Sequence, residues 1–236
     1  MSSPPPQKPA TIKPSKPKLT PKPHRQIRAL HDASTITVYQ AYNSTIASAA
    51  VAHQKLNASP AFRTGSRMTW IKPSWAWMLY RSGYSYKDAN QERILALRMR
   101  NADFLCLLER GVLTHGGQDE MKSKDECEGG GEKGERKKSE DVKIQWDPER
   151  TVRLDKLDRG LRRSIQIGIP GAMTEEWAEK MIVGIEDVTE EARKLKRLLD
   201  ERPDVTDEEM VELGLVPLEG PYELPEELQR ALGMLY

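Results

Sequence analysis

The chain has 236 residues, 37% hydrophobic and 31% charged, with sixteen prolines. That balance predicts one compact domain plus chain that lies outside any core. No apolar run approaches the ~20 residues that span a bilayer. The N-terminus has neither the apolar heart of a secretion signal nor an arginine-rich amphipathic transit pattern. Cys106 in FLCLL and Cys127 in a Gly/Glu/Lys stretch lie in unlike surroundings, so no disulfide is expected and the expected location is cytoplasmic or nuclear.

A formal net charge of +1 conceals segregation. Residues 1–23 hold five lysines and no acid, Arg63 to Arg100 hold eight Lys or Arg against two acids, and Glu186 to Tyr236 hold six against fifteen. The Pro/Lys-rich residues 1–23 are expected to form a disordered tail. Residues 24–200 are expected to form a single α+β domain, with a Gly-rich insert over 116–141, and 201–236 an acidic helical extension.

In chain order, Thr35–Tyr42 alternates β-branched and aromatic residues as a strand does, placing Gln40 opposite Tyr39 and Ala41. A helix follows, capped by Asn43 or Ser44 with Ile46 to Val51 behind it. Met68–Ile71 reads as a short strand, and Pro73 and Ser74 open a helix that stops before Gly83. Arg93–Met99 is a strand, and Asn101 is expected to cap a helix ending at Gly111. Beyond the insert come strands at 142–146 and 164–169, a helix at 174–180, a strand at 181–188 and charged helices. The order predicts a single mixed sheet with helices packed on it.

The candidate site is Arg67 to Gly83, RMTWIKPSWAWMLYRSG, where Arg67, Lys72 and Arg81 are interleaved with Trp70, Trp75, Trp77 and Tyr80. Arg offers a planar fork of donors, Lys a compact charge, and Trp a flat face for a base or nicotinamide ring. Ser74 follows Lys72 at a helix start whose N–H groups favour an anion, so a phosphate-bearing ligand is expected there. Trp75, Met78 and Leu79, at helical spacing, read instead as a core face. Asp147 in QWDPER reads as a turn cap, while Glu149 is less explained by turn chemistry. His24, His31, His53 and His115 do not combine with the cysteines at zinc-ligand spacing, so no metal is expected. Neither glycine-rich nucleotide loop is present, nor a Gly-x-Ser-x-Gly elbow.

IRALHDASTITVYQAY, RMTWIKPSWAWMLYRSG, QERILALRM, VKIQWDPER, RSIQIGIPG and IEDVT resemble the successive motifs of a bacterial and fungal family known as a domain of unknown function, over His24 to Arg197. The strand with VYQAY, the helix IASAAVAHQKL, the strand with MTW and the strand ILALRM are also similar in order to the ADP-ribosyltransferase fold and its RNA 2'-phosphotransferase relatives. That resemblance implies a His or Arg on the first strand, an aromatic or Ser/Thr on the next, and a Glu on a late strand. By position Gln40, Thr69 or Trp70, and Gln166 fill these places, so both polar end members depart from the usual type, and Glu149 is the alternative carboxylate. The implied function is NAD-dependent ADP-ribosyl transfer to nucleic acid or protein. Arg67, Lys72 and Arg81 would neutralise the pyrophosphate, with Thr69, Trp70 and Ser74 beside them, and Gln40, Gln166 or Glu149 would serve the chemistry. The alternatives are a non-catalytic RNA or single-stranded nucleic-acid module using the same groups, and a protein adaptor acting through the acidic C-terminus.

Overall fold

A computed structural model describes residues 23–65, 67–114 and 141–235. The tail apart from Pro23, and the insert apart from Asp141, lie outside the described residues. In chain order the elements are β1 (Arg28–Ala29), β2 (Thr35–Tyr42), α1 (Ser44–His53), β3 (Thr69–Ile71), α2 (Trp75–Ser82), β4 (Arg93–Arg100), α3 (Asn101–Glu109) and β5 (Gly111–Leu113). Then come β6 (Val142–Pro148), β7 (Arg163–Ile169), α4 (Thr174–Glu176, continued by a π-helical turn over Trp177–Met181), β8 (Ile182–Asp187), α5 (Thr189–Glu201), α6 (Asp207–Glu212), β9 (Gly220–Pro221) and α7 (Glu226–Ala231).

The α+β class is as the sequence predicts, but the strands divide among several sheets rather than one. β2-β4-β8 is antiparallel throughout, β3-β7-β6-β5 is antiparallel except for β5 beside β6, and β1 pairs with β9. A backbone bridge joins the first two sheets. Tyr39 N–H donates to the Lys72 carbonyl at 2.7 Å and Lys72 N–H donates to the Tyr39 carbonyl at 3.2 Å. β3 is only three residues long, so the chain crosses between sheets just before α2 begins.

Strand alternation decides what each face does. Ile36 and Val38 of β2, with Leu95, Leu97 and Met99 of β4, pack under α1 and α3 and merge with Ile144, Trp146, Ile165, Ile167 and Ile169 of the other sheet into one core. On the opposite face of β2 and β4, Tyr39 and Ile94 join Trp75, Met78 and Leu79 of α2 with Ala192 and Leu195 of α5. The helical core face read for α2 is therefore correct. Gln54, in a left-handed conformation at the end of α1, uses its amide to exchange two hydrogen bonds with the Ile185 backbone, at 2.8 and 2.9 Å. This shields part of the outer edge of β8 from further strand pairing.

Two readings are corrected. Asn101 does not cap α3: its amide donates to the Asp32 carbonyl at 3.0 Å and accepts from the Tyr222 hydroxyl at 3.3 Å. Nor do residues from 201 onward form a separate extension, because Tyr222, Leu224 and Leu232 lie in the main core while Val205 and Met210 pack under α2 and α5. Their acidic composition conceals these apolar anchors.

Candidate functional site

α2 begins where the sequence signals it. Ser74 Oγ accepts from Trp77 N–H at 3.1 Å as N-cap, and Gly83 takes φ 57° at the C-terminal end, where its N–H donates to the Leu79 carbonyl. The helix forms one wall of a cleft of about 1050 Å³. Trp70 of β3 and Gln166 and Gln145 of β7 and β6 form the floor, because they alternate with the buried Ile71, Ile167 and Ile144. Gln40 to Asn43, at the end of β2, form the facing wall, and Phe62, Arg63, Arg67 and Met68 form the rim.

Of the residues proposed from sequence, Gln40, Arg67, Thr69, Trp70, Lys72, Arg81 and Gln166 all line this cleft. Arg63 joins them, so four cations face a lining that contains one acid, Asp88. Among the described residues none of the four cationic side chains has a hydrogen-bond or ion-pair partner. Arg63, Arg67 and Arg81 are exposed, whereas Lys72 is 5% exposed. The Lys72 ammonium lies 5.4 Å from the centre of the Trp77 ring, within cation–π range. Burial, reinforced by the nearby Arg81 and opposed by Asp147, pulls its pKa down to about 8.

Gln40 is fully engaged. Its amide N–H groups donate to Thr69 Oγ1 at 2.7 Å and to the Trp70 carbonyl at 2.8 Å, and its oxygen accepts from the Tyr42 hydroxyl. It thus ties the end of β2 to β3 and positions the wall of the cleft, with no N–H left for a ligand. Gln166 differs. Its Nε2 donates to Asp147 Oδ2, and Asp147 Oδ1 accepts from Gln145 at 2.9 Å. A carboxylate accepts only, so the Gln166 amide oxygen is turned away from Asp147.

Trp70 lies over Gly168. A Cβ at that glycine would meet the Met68 sulfur at 2.8 Å and two Trp70 ring carbons at 3.0 Å. The missing side chain lets the indole lie against the sheet as a platform.

Ser74 and Glu149 are outside the cleft, which corrects their assignment to it. Glu149, 7% exposed, accepts from Ser74 Oγ at 3.0 Å and from Arg150 N–H at 2.8 Å, in a separate hollow behind the start of α2. Burial raises its pKa, against the hydrogen bonds it accepts. Glu219 is beside it and accepts from Trp75 N–H at 2.6 Å. Burial, with Glu149 nearby, pushes the Glu219 carboxyl up to about 8. The N–H groups expected to attract a phosphate at the start of α2 are therefore met by the protein's own Ser74 and Glu219.

Sequence reasoning missed Arg63, Gln145 and Glu219. Gln145 was legible, since alternation places it on the same face as Asp147. Nothing local signals Glu219, which reaches α2 from 144 residues away. Among the described residues no group of three or more His, Cys, Asp or Glu could hold a metal ion, and no helix is long and apolar enough to cross a membrane.

The structure defines an α+β domain with a basic, aromatic-lined cleft. Residues 26–222 match the family described as Domain of unknown function (DUF4291), and the chain belongs to that family. A comparison with curated proteins finds no match.

Proposed function

We propose that the cleft binds a nucleotide and that the protein is an ADP-ribosyltransferase-like enzyme with NAD as substrate. The observation that carries this reading is the convergence of the Trp70 platform and four cations, without hydrogen-bond or ion-pair partners among the described residues, on one cleft of about 1050 Å³. That volume is at the upper end for small-molecule sites and suits a dinucleotide. Exposed Arg63, Arg67 and Arg81 suit a diphosphate, which guanidinium forks bind with two parallel hydrogen bonds. Trp70 offers the flat face on which a nicotinamide or base can stack.

Cleavage of the nicotinamide–ribose bond leaves positive charge on the sugar, and oxygen dipoles fixed beside it lower the barrier. The Gln166 amide oxygen suits that role, because Asp147 holds the amide from behind. Gln40 and Glu149, the other two candidates, act respectively as a positioning residue and as part of the framework.

Titration with NAD at low salt, followed by tryptophan fluorescence, tests binding, and chromatography of released nicotinamide tests turnover. Saturable quenching is expected, weakened roughly tenfold by Arg67→Ala or Arg81→Ala, the loss typical of one charge-assisted hydrogen bond. Gln166→Ala is expected to abolish nicotinamide release while NAD still binds. No saturable response up to millimolar NAD overturns the reading. The exposure of three of the cations also favours a second one, a single-stranded nucleic-acid module stacking on Trp70. It predicts oligonucleotide binding that weakens steeply with salt and no nicotinamide release.

A further inference from the structure

We infer that the buried end of the cleft, at Lys72 and Trp77, is a subsite for a terminal phosphate monoester. This rests on the reading of the cleft as a nucleotide site and sharpens its substrate class: a dinucleotide bearing an additional phosphate monoester on ribose is preferred over NAD itself.

The first argument is cost. A buried ammonium with no anionic partner is among the most unfavourable groups a protein can keep, and a methionine of similar shape would fill the space at far lower cost. Lys72 is 5% exposed, and among the described residues its ammonium faces the Trp77 ring but has no hydrogen-bond or ion-pair partner. Its strongest charged neighbour is Arg81, which repels it, and Asp147 only partly offsets that. The charge also cannot relax by moving its backbone, because Tyr39 holds the Lys72 N–H and carbonyl from both sides.

The second argument is independent of Lys72. Trp77 is 7% exposed, lines the same end of the cleft, and its Nε1 is a buried donor without an acceptor. Lys72 Nζ and Trp77 Nε1, with Arg81 beside them, are thus donors that lack an acceptor. Indole and ammonium donate only, so what completes them must be an acceptor, and the charges of Lys72 and Arg81 favour an anionic one.

The third argument distinguishes a terminal from a bridging phosphate. A diphosphate has a substituent on each side and needs an open passage, which the exposed Arg63, Arg67 and Arg81 border. The enclosed Lys72 end suits a group attached on one side only. A monoester also carries close to two negative charges at neutral pH, matching adjacent cations better than the single charge of a diester.

The full-length protein is titrated with NAD and with NADP at pH 7, as wild type, Lys72→Met and Lys72→Arg. In parallel, Lys72 is labelled with acetic anhydride at pH 8 and quantified by mass spectrometry, with and without millimolar inorganic phosphate. NADP is expected to bind at least tenfold more tightly than NAD, Lys72→Met to bring that ratio close to one, and Lys72→Arg to restore part of it. Phosphate is expected to slow Lys72 acetylation severalfold. Circular dichroism checks that each variant is folded. Equal affinity for the two dinucleotides, or a preference that survives Lys72→Met, overturns the subsite while leaving the cleft as a nucleotide site. Phosphate protection of Lys72 without binding of either dinucleotide supports the subsite and overturns the NAD reading. Absence of both overturns both.

Discussion

The two sides of α2 handle charge in opposite ways. On the cleft side, Lys72 and Arg81 lie close together with no ion-pair partner among the described residues, at the end of a groove. Behind the helix start, Glu149 and Glu219 are also close together, but each accepts hydrogen bonds from α2 itself, through Ser74 Oγ and Trp75 N–H. The back is satisfied internally and acts as a clamp that fixes where α2 sits. The front is left unsatisfied, as a surface completed by something else would be. A single short helix is thus anchored by carboxyl groups at its start on one side, while Arg81 stands beside Lys72 on the other.

The largest expected effect is on stability against pH, and it divides between the two sides. Glu219 has a folded pKa of about 8 against an ordinary 4.5, so between those values the folded state holds a proton that the unfolded state has lost. Stability therefore falls as pH rises from 4.5 to about 8. Lys72 has a folded pKa of about 8 against an ordinary 10.5, so between those values the unfolded state holds the extra proton and stability rises. Urea midpoints are expected to pass through a minimum near pH 8, with limbs on the order of 3 kcal/mol. Glu219→Gln flattens the acid limb, and Lys72→Met flattens the alkaline limb while raising stability at pH 7. If Lys72→Met lowers the midpoint instead, the unpaired-charge account of the front fails.

The next effect breaks the back alone. Glu149→Ala leaves the Ser74 hydroxyl and the Arg150 N–H without their acceptor in a buried site, and is expected to cost about 2–3 kcal/mol in urea unfolding. Ligand affinity should change little, since Glu149 is outside the cleft. A variant of unchanged stability but lost binding would instead return Glu149 to the functional site.

Between the two sides stands Gln40, which joins the sheets at the cleft wall. Gln40→Leu keeps the volume but leaves Thr69, the Trp70 carbonyl and the Tyr42 hydroxyl unpaired, at about 1–2 kcal/mol. Because the wall loosens, NAD affinity should fall with it, whereas Glu149→Ala separates the two measurements.

Much of this arrangement was legible in the sequence where the signal is local. Ser74 and Gly83 mark the ends of α2, Asn43 caps α1, and alternation sorts Gln40 from Tyr39. The basic, aromatic segment also identified most of the cleft. What alternation does not encode is docking. Gln145, Asp147 and Glu149 share a parity, yet the first lines the cleft and the last lies beside Ser74 at the start of α2. Which of them stays open depends on where α2 rests, and that is set partly by Glu219, in a segment whose acidic composition suggests a free extension. The partition into sheets was hidden for a similar reason: a three-residue strand bonded to β7 and a single pair of bonds at Tyr39 and Lys72 decide it.

The smallest expected effect on stability is also the most specific test of the front. Gly168 has no side chain where the Trp70 ring and the Met68 sulfur lie over β7, and an added methyl would meet these atoms at 2.8–3.0 Å. Both neighbours are ends of side chains facing an open cleft, so they can shift outward and the cost in unfolding should stay below about 1 kcal/mol. The indole, however, would tilt off the sheet and lose the flat presentation that stacking requires. Gly168→Ala is therefore expected to weaken NAD binding severalfold, with the fluorescence change on binding reduced because Trp70 no longer contacts the ligand. The anion-dependent protection of Lys72 from acetylation should persist, since Gly168 does not touch that end of the cleft. If affinity and fluorescence change are both unaltered, Trp70 is packing for the sheet and the cations alone hold the ligand.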